Sequence, residues 1–272
     1  MTTPMVRLGH HTWQEAATLA EEDRLVIVPC GSTEAHGPHL PLDVDTHQAD
    51  AVATLLAGRV EAVVAPVLPY GYAEMWMGFA GTITLTPETF EQVLVEIGRS
   101  LVRHGFRRIM LLNGHRPNGT AVDVAARRIA DEAPPGSGLQ ISALSYWEPS
   151  AEELHAARRS ALGGMGHACE LETSVQLATR PHLVRMATLA GVAAPLVAWD
   201  LVGPSEPTRT YGPATGPRDG NIAIFGDPHA ASADSGERFL ELIVDGLERL
   251  VRSLDAGGGT YTTTTEPAGG RA

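Results

Sequence analysis

Short apolar runs alternate with stretches of helical periodicity through most of the sequence, and this alternation restricts the fold more than any other feature. Runs 25–28, 60–67, 108–112 and 139–144 are apolar enough to be buried strands, and each is followed by a turn signal. Between them, 46–56, 87–104, 119–132 and 151–161 carry apolar residues at helical spacing. Strand then helix, repeated, specifies a mainly parallel sheet covered on both faces, joined by right-handed crossovers: a three-layer α/β/α sandwich. The punctuation agrees at one helix, where Thr86 stands as N-cap before Pro87 and Gly105 follows His104. Segment 191–227 is rich in Gly and Pro and reads as irregular loops. Phe239, Leu240, Ile243, Val244, Leu247, Leu250 and Val251 then recur at helical spacing, so 233–254 reads as a closing helix. Residues 1–254 are expected to form one domain, and 255–272 a tail with almost nothing to bury.

Charge and cysteine usage narrow the partners. Lys and Arg number 20 against 32 Asp and Glu, a net charge of −12, so there is no broad basic field to attract nucleic acid. The longest apolar runs, 25–30 and 62–68, fall far short of the ~20 residues of a spanning helix. The start MTTPMVRLGHHTW lacks a signal-peptide apolar segment, so no membrane partner and a cytoplasmic location are expected. Cys30 and Cys169 lie far apart without CxxC spacing, which points to free thiols.

Metal-capable side chains gather after the strands, where open α/β sheets place their ligands. GSTEAHGPHLPLDVDT follows the first strand and offers Glu34 and His36, two apart and able to point the same way in an extended segment, with Asp45 at the entrance to the next helix. NGHRPNG, with His115, follows the third strand; GHACELETS, with His167, Glu170 and Glu172, comes after the fourth. Each residue also has a plain structural reading. Asp43 or Asp45 could cap a helix, His36 or His39 could be a surface imidazole, and His115 could stabilise its loop. Glu170 and Glu172 could be acids favoured at a helix N-terminus.

GSTEAHGPHLPLDVDT, YGYAEMWMGFAGTITLTPETF, LLNGHRPN and GHACELETSVQLATRP together resemble the creatininase family of metal-dependent amidohydrolases, over about 26–185. The resemblance implies a three-layer α/β fold with a two-metal centre that hydrolyses C–N bonds other than peptide bonds, in small or cyclic amides. Carried over by position, Glu34, Asp45 and His115 would hold one ion, and His36 with a bridging Asp45 the second, leaving Asp43 off the metal. In creatininase itself a Glu two residues after the NGH histidine completes the second site, but Pro117 stands there. Glu170 is expected to replace it, with Glu172 beside it or as the ligand instead.

The residue types suit that chemistry independently. Two divalent ions bridged by a carboxylate and a water give hydroxide at neutral pH and polarise a carbonyl. An uncoordinated imidazole, His167, can carry the proton to the leaving nitrogen. Mixed N and O donors suit Zn, Mn or Fe. Trp76 replaces a common family His, and it is read as core or as a substrate wall, with Arg116 and Trp147 as further candidates. Cys169, where the family usually has Gly, is read as a small packed side chain, since no base and orienting partner accompany it as a nucleophile. The expected activity is therefore hydrolysis of a small amide, lactam or formamide by a homo-oligomer, in this family commonly a hexamer. The alternatives are a peptide- or sugar-derived intermediate as substrate, or a binding protein that has lost catalytic competence.

Overall fold

The computed structural model describes residues 6–196, 200 and 214–257. Four parallel strands form its sheet: β1 (Leu25–Cys30), β2 (Ala62–Val64), β3 (Arg108–Asn113) and β4 (Gln140–Ser145). Their order is β2-β1-β3-β4, with Leu25 level with both Ala62 and Arg108, and Arg108 level with Gln140. Seven α-helices are described: α1 (Trp13–Glu21), α2 (Val44–Ala57), α3 (Pro87–Arg103), α4 (Gly119–Glu132), α5 (Ala151–Ala157), α6 (Glu170–Thr179) and α7 (Ala233–Asp255).

Strand alternation builds two cores. Leu25, Ile27, Met110 and Leu112 point to the face covered by α2, α6 and α7, where they meet Val52, Leu56, Val175, Phe239 and Ile243. Val26, Val28, Ile109 and Leu111 point the other way, into Phe90, Leu94, Val122 and Ile129 of α3 and α4. The result is the expected α/β/α sandwich. After β1 the chain goes to β2 on one side, then crosses back over β1 to reach β3. Connections therefore diverge between β1 and β3, the switch point at which such sheets open a crevice at their carboxyl ends.

Local differences from expectation have local causes. The second strand shrinks to three residues because Val60 N–H closes α2 on the Leu56 carbonyl, and Pro66 removes a ladder donor beyond. Helix α5 stops at Ala157 because the N–H groups of Arg159 and Ser160 go to the Glu170 carboxylate. Helix α1 was not expected; a capping box between Thr12 and Glu15 starts it, while Ala20 is its one fully buried residue. Helix α3 begins as read, with Thr86 Oγ1 accepting Thr89 N–H, and Gly105 beyond its end takes φ +94°. Of the loop segment 191–227, the residues described form a short 3-10 turn, Pro217–Asp219, and one isolated bridge, Phe225 to His167. Helix α7 runs to Asp255, one residue into the expected tail, and the tail beyond Gly257 lies outside the described residues. Among those described, no helix is long and apolar enough to cross a membrane.

Candidate metal centre

Three segments converge at the carboxyl ends of β1 and β3. The loop after β1 is closed by Glu34 N–H on the Leu42 carbonyl, and it carries Glu34 and His36, both fully buried. Asp45 enters from the first turn of α2, and His115 from the loop after β3. Two glycines make this approach possible. A Cβ at Gly31 would sit 2.4 Å from Thr46 N, and one at Gly114 would sit 2.5 Å from the Asp45 carbonyl, so any side chain would push α2 away.

Asp45 stands at the centre with one oxygen for each neighbour. His36 Nε2 lies 3.0 Å from its Oδ1, and His115 Nδ1 lies 2.8 Å from its Oδ2, which also accepts the Ser32 hydroxyl at 3.2 Å. The other ring nitrogens are fixed by carbonyls. His36 Nδ1–H donates to Glu34 O at 3.2 Å and His115 Nε2–H to Tyr72 O at 2.9 Å, so each imidazole turns its remaining nitrogen toward Asp45. Glu34 Oε2 is 3.2 Å from His115 Nε2, and its Oε1 is 3.6 Å from His167 Nδ1.

Glu172, not Glu170, is the carboxylate that α6 brings to this cluster. Its Oε1 lies 3.9 Å from His36 Nε2. Glu170 is fully buried elsewhere, its two oxygens accepting Arg159 N–H and Ser160 N–H, each at 2.8 Å. Helix geometry forces the choice, because residues two apart project to nearly opposite sides and only one of the pair can face α2.

Three donor groups each gather atoms within 4.8 Å: Glu34, Asp45 and His115; His36, Asp45 and Glu172; and Glu34, His36 and His167. The residues fit divalent cations. Both Glu34 oxygens and Glu172 Oε2 are buried without a hydrogen bond, an arrangement that proteins otherwise avoid for carboxylates. The oxygen and imidazole donors match Zn or Mn in kind. Without a cation, the cluster must balance its charge with protons. Burial pushes Glu34 and Glu172 each up to about 7. Burial opposes charge on His36 and His115, but the facing carboxylates outweigh it and raise them to about 10 and about 9. For Asp45, burial is outweighed by the two imidazoles, which hold its carboxyl well below the usual range.

His167 is set differently. Its Nε2–H donates to Ala35 O at 2.8 Å, which turns Nδ1 toward Glu34. The ring stacks on Trp76 at 4.2 Å and lies 4.1 Å from the His36 ring. Burial, with the neighbouring His36 charge, pushes its pKa well below the usual value and so favours the neutral imidazole. Its backbone pairs with Phe225 in both directions, and the next residue, Ala168, takes φ +51°, a strained left-handed turn into α6.

The remaining expectations divide. Trp76 is buried and backs His167 among Ala35, Ala73, Phe79 and Phe225. Trp147 is not at the cluster; it packs edge-on to Tyr146 in the core with Met165 and Leu171. Arg116 lies beside the cluster, lining with Asn113, Asp123, Ser145 and Glu148 a separate cavity of about 270 Å³ over β3 and β4. Asp43 is off the cluster, held by Arg180 at 2.8 and 2.9 Å. His39 is no surface imidazole: it is fully buried, with Nε2 2.9 Å from Thr173 Oγ1. Cys169 is buried and its thiol pushed well above the usual value by that burial, which leaves it inert. The sequence reading missed Ser32, Tyr72, Gln48 and Tyr146. Gln48 follows Asp45 by three residues on α2, a spacing that could have revealed it.

A parallel α/β sandwich with a carboxylate-centred cluster of metal-capable donors at its switch point defines the class: an open α/β protein with its site in the crevice at the strand ends. The comparisons make that class particular. The sequence matches the creatininase family, described as creatinine amidohydrolase, over residues 9–251, and the chain belongs to that family. It is an amidohydrolase of that family. It is 31% identical to the creatinine amidohydrolase of Pseudomonas putida over 91% of this chain and 96% of that one. It is 35% identical to the mycofactocin precursor peptide peptidase of Mycobacterium ulcerans (strain Agy99), over 84% of each. Two creatininase structures, a manganese form and a zinc–zinc form of a variant, superpose with TM-scores of 0.77 and 0.75; each is 29% identical over 92% of this chain and 98% of the other.

Proposed function

We propose that this chain hydrolyses a small amide, lactam or formamide, using a pair of divalent ions (zinc, manganese or iron) held by Glu34, Asp45 and His115 on one side and by His36, Asp45 and Glu172 on the other. The observation that carries the reading is the disposition of Asp45, which offers one oxygen to each half. Glu172 offers, in place of Pro117, a carboxylate 3.9 Å from His36 Nε2, which favours a working hydrolase over an impaired binding protein. Bound there, the ions supply Lewis-acid polarisation of the carbonyl and a lowered pKa for water. The protein's own groups do the rest. His167, neutral through burial, takes the proton at Nδ1 and returns it to the departing nitrogen, while its Nε2–H stays on Ala35. Trp76 keeps that ring in place and water off its face.

A peptide-derived intermediate is the second reading, favoured by the 35% identity to a precursor peptide peptidase. We also infer a homo-oligomer, a hexamer by family resemblance, which light scattering tests. The functional test is elemental analysis followed by turnover. Two transition metals per chain, with chelator-sensitive ring opening of cyclic amides, supports the first reading; metal with turnover of peptides alone supports the second. No metal after supplementation contradicts both.

A further inference from the structure

Two of the donors that frame the proposed second site come from separate helices, Asp45 from α2 and Glu172 from α6, so that half of the centre depends on how the two helices are seated. A buried chain of hydrogen bonds seats them. Tyr146, at the end of β4, donates its hydroxyl to Gln48 Oε1 at 2.7 Å. Gln48 in turn donates its side-chain N–H to the main-chain carbonyl of Glu172 at 2.9 Å. Both side chains are within 2% of complete burial. The amide orientation is fixed by chemistry, because a carbonyl only accepts, so Nε2 must face Glu172 and Oε1 is left for the phenol. Asp45 and Gln48, three apart on α2, share a helix face. One face thus carries a donor and the group that grips the backbone of the next donor.

We propose that Gln48, backed by Tyr146, is a positioning residue for the metal pair: it holds the Glu172 main chain in register with Asp45 and thereby sets the affinity of the His36, Asp45 and Glu172 half. This rests on the two-metal reading above. The other α2 to α6 ties lie at the far end of α6, where Arg180 holds Asp43 and Thr179 Oγ1 lies 2.9 Å from His47 Nε2. They provide an internal control, because a purely structural role for Gln48 would make all these ties equivalent.

The experiment titrates metal-stripped full-length protein with Zn²⁺ against a chromophoric chelator, with a melting curve on each variant. Wild-type protein should take up two ions. Gln48→Met should weaken one of them on the order of 10- to 100-fold and leave the other unchanged, the usual range when a group behind a metal ligand is lost. Tyr146→Phe, which removes only the hydroxyl, should weaken the same site by less and carries the test if Gln48→Met does not fold. Thr179→Val should lower the melting temperature with both affinities intact. Unchanged affinities in the Gln48 and Tyr146 variants that fold, or equal weakening by Thr179→Val, overturns the proposal. A wild-type chain that takes up fewer than two ions overturns the two-metal reading itself, and the positioning role with it.

Discussion

At the residue scale, the two acids that open α6 have opposite jobs. Glu170 spends both oxygens on the N–H groups of Arg159 and Ser160 and so shapes the segment leading to His167, while Glu172 turns Oε1 to the cluster, 3.9 Å from His36 Nε2. Glu172→Gln should therefore lower affinity at one metal site by about 10-fold or more with little change in melting temperature. Glu170→Gln, which sets an amide against two N–H donors, should cost about 1–3 kcal/mol of stability and leave both ions bound. Metal titration and thermal melts on the pair check this, and reversed outcomes would restore Glu170 as the ligand. His167→Ala should keep both ions and lower kcat by ~10²- to 10⁴-fold, measured by single-substrate kinetics beside metal analysis. Parallel loss of metal would make His167 a ligand. The sequence alone could not tell Glu170 from Glu172, because which acid faces inward depends on the phase of α6, and that phase is set by distant packing. Gly236 of α7 comes so close that a Cβ there would meet the Ser174 carbonyl at 2.0 Å.

At the scale of elements, legibility followed apolar patterning. Strand β1 is buried at all six positions, and its unbroken apolar run admits hardly any other reading. Helix α7 was equally plain, since its core face repeats at helical spacing. Phe239, Ile243, Val244 and Leu247 are at most 1% exposed, and burying such a side chain is worth about 1.5–3 kcal/mol. Phe239→Ala should lose about 3–5 kcal/mol, read from chemical denaturation. A loss below about 1 kcal/mol would mean that α7 is not a structural part of the sheet's cover. Helix α1 escaped for the converse reason. Trp13 is exposed and only Ala20 of the helix is buried, so the capping box between Thr12 and Glu15 is its one clear mark in the sequence.

For the whole molecule, β/α alternation was enough to give the layered fold, while the site depended on the strand order, which alternation leaves open. The order β2-β1-β3-β4 sets β1 beside β3, which puts the Glu34 and His36 loop next to the His115 loop and lets α2 return Asp45 between them. Motif residues dispersed from Glu34 to Glu172 become one cluster because the chain reverses its direction of winding there. The central claim is that Asp45 joins two metal sites completed by His115 and by Glu172. Anomalous diffraction from crystals of the protein loaded with Zn²⁺ tests it most directly. The account predicts two peaks flanking the Asp45 carboxylate, one against Glu34 and His115 and the other against His36 and Glu172. A single peak, or density that engages Glu170 in place of Glu172, would contradict it.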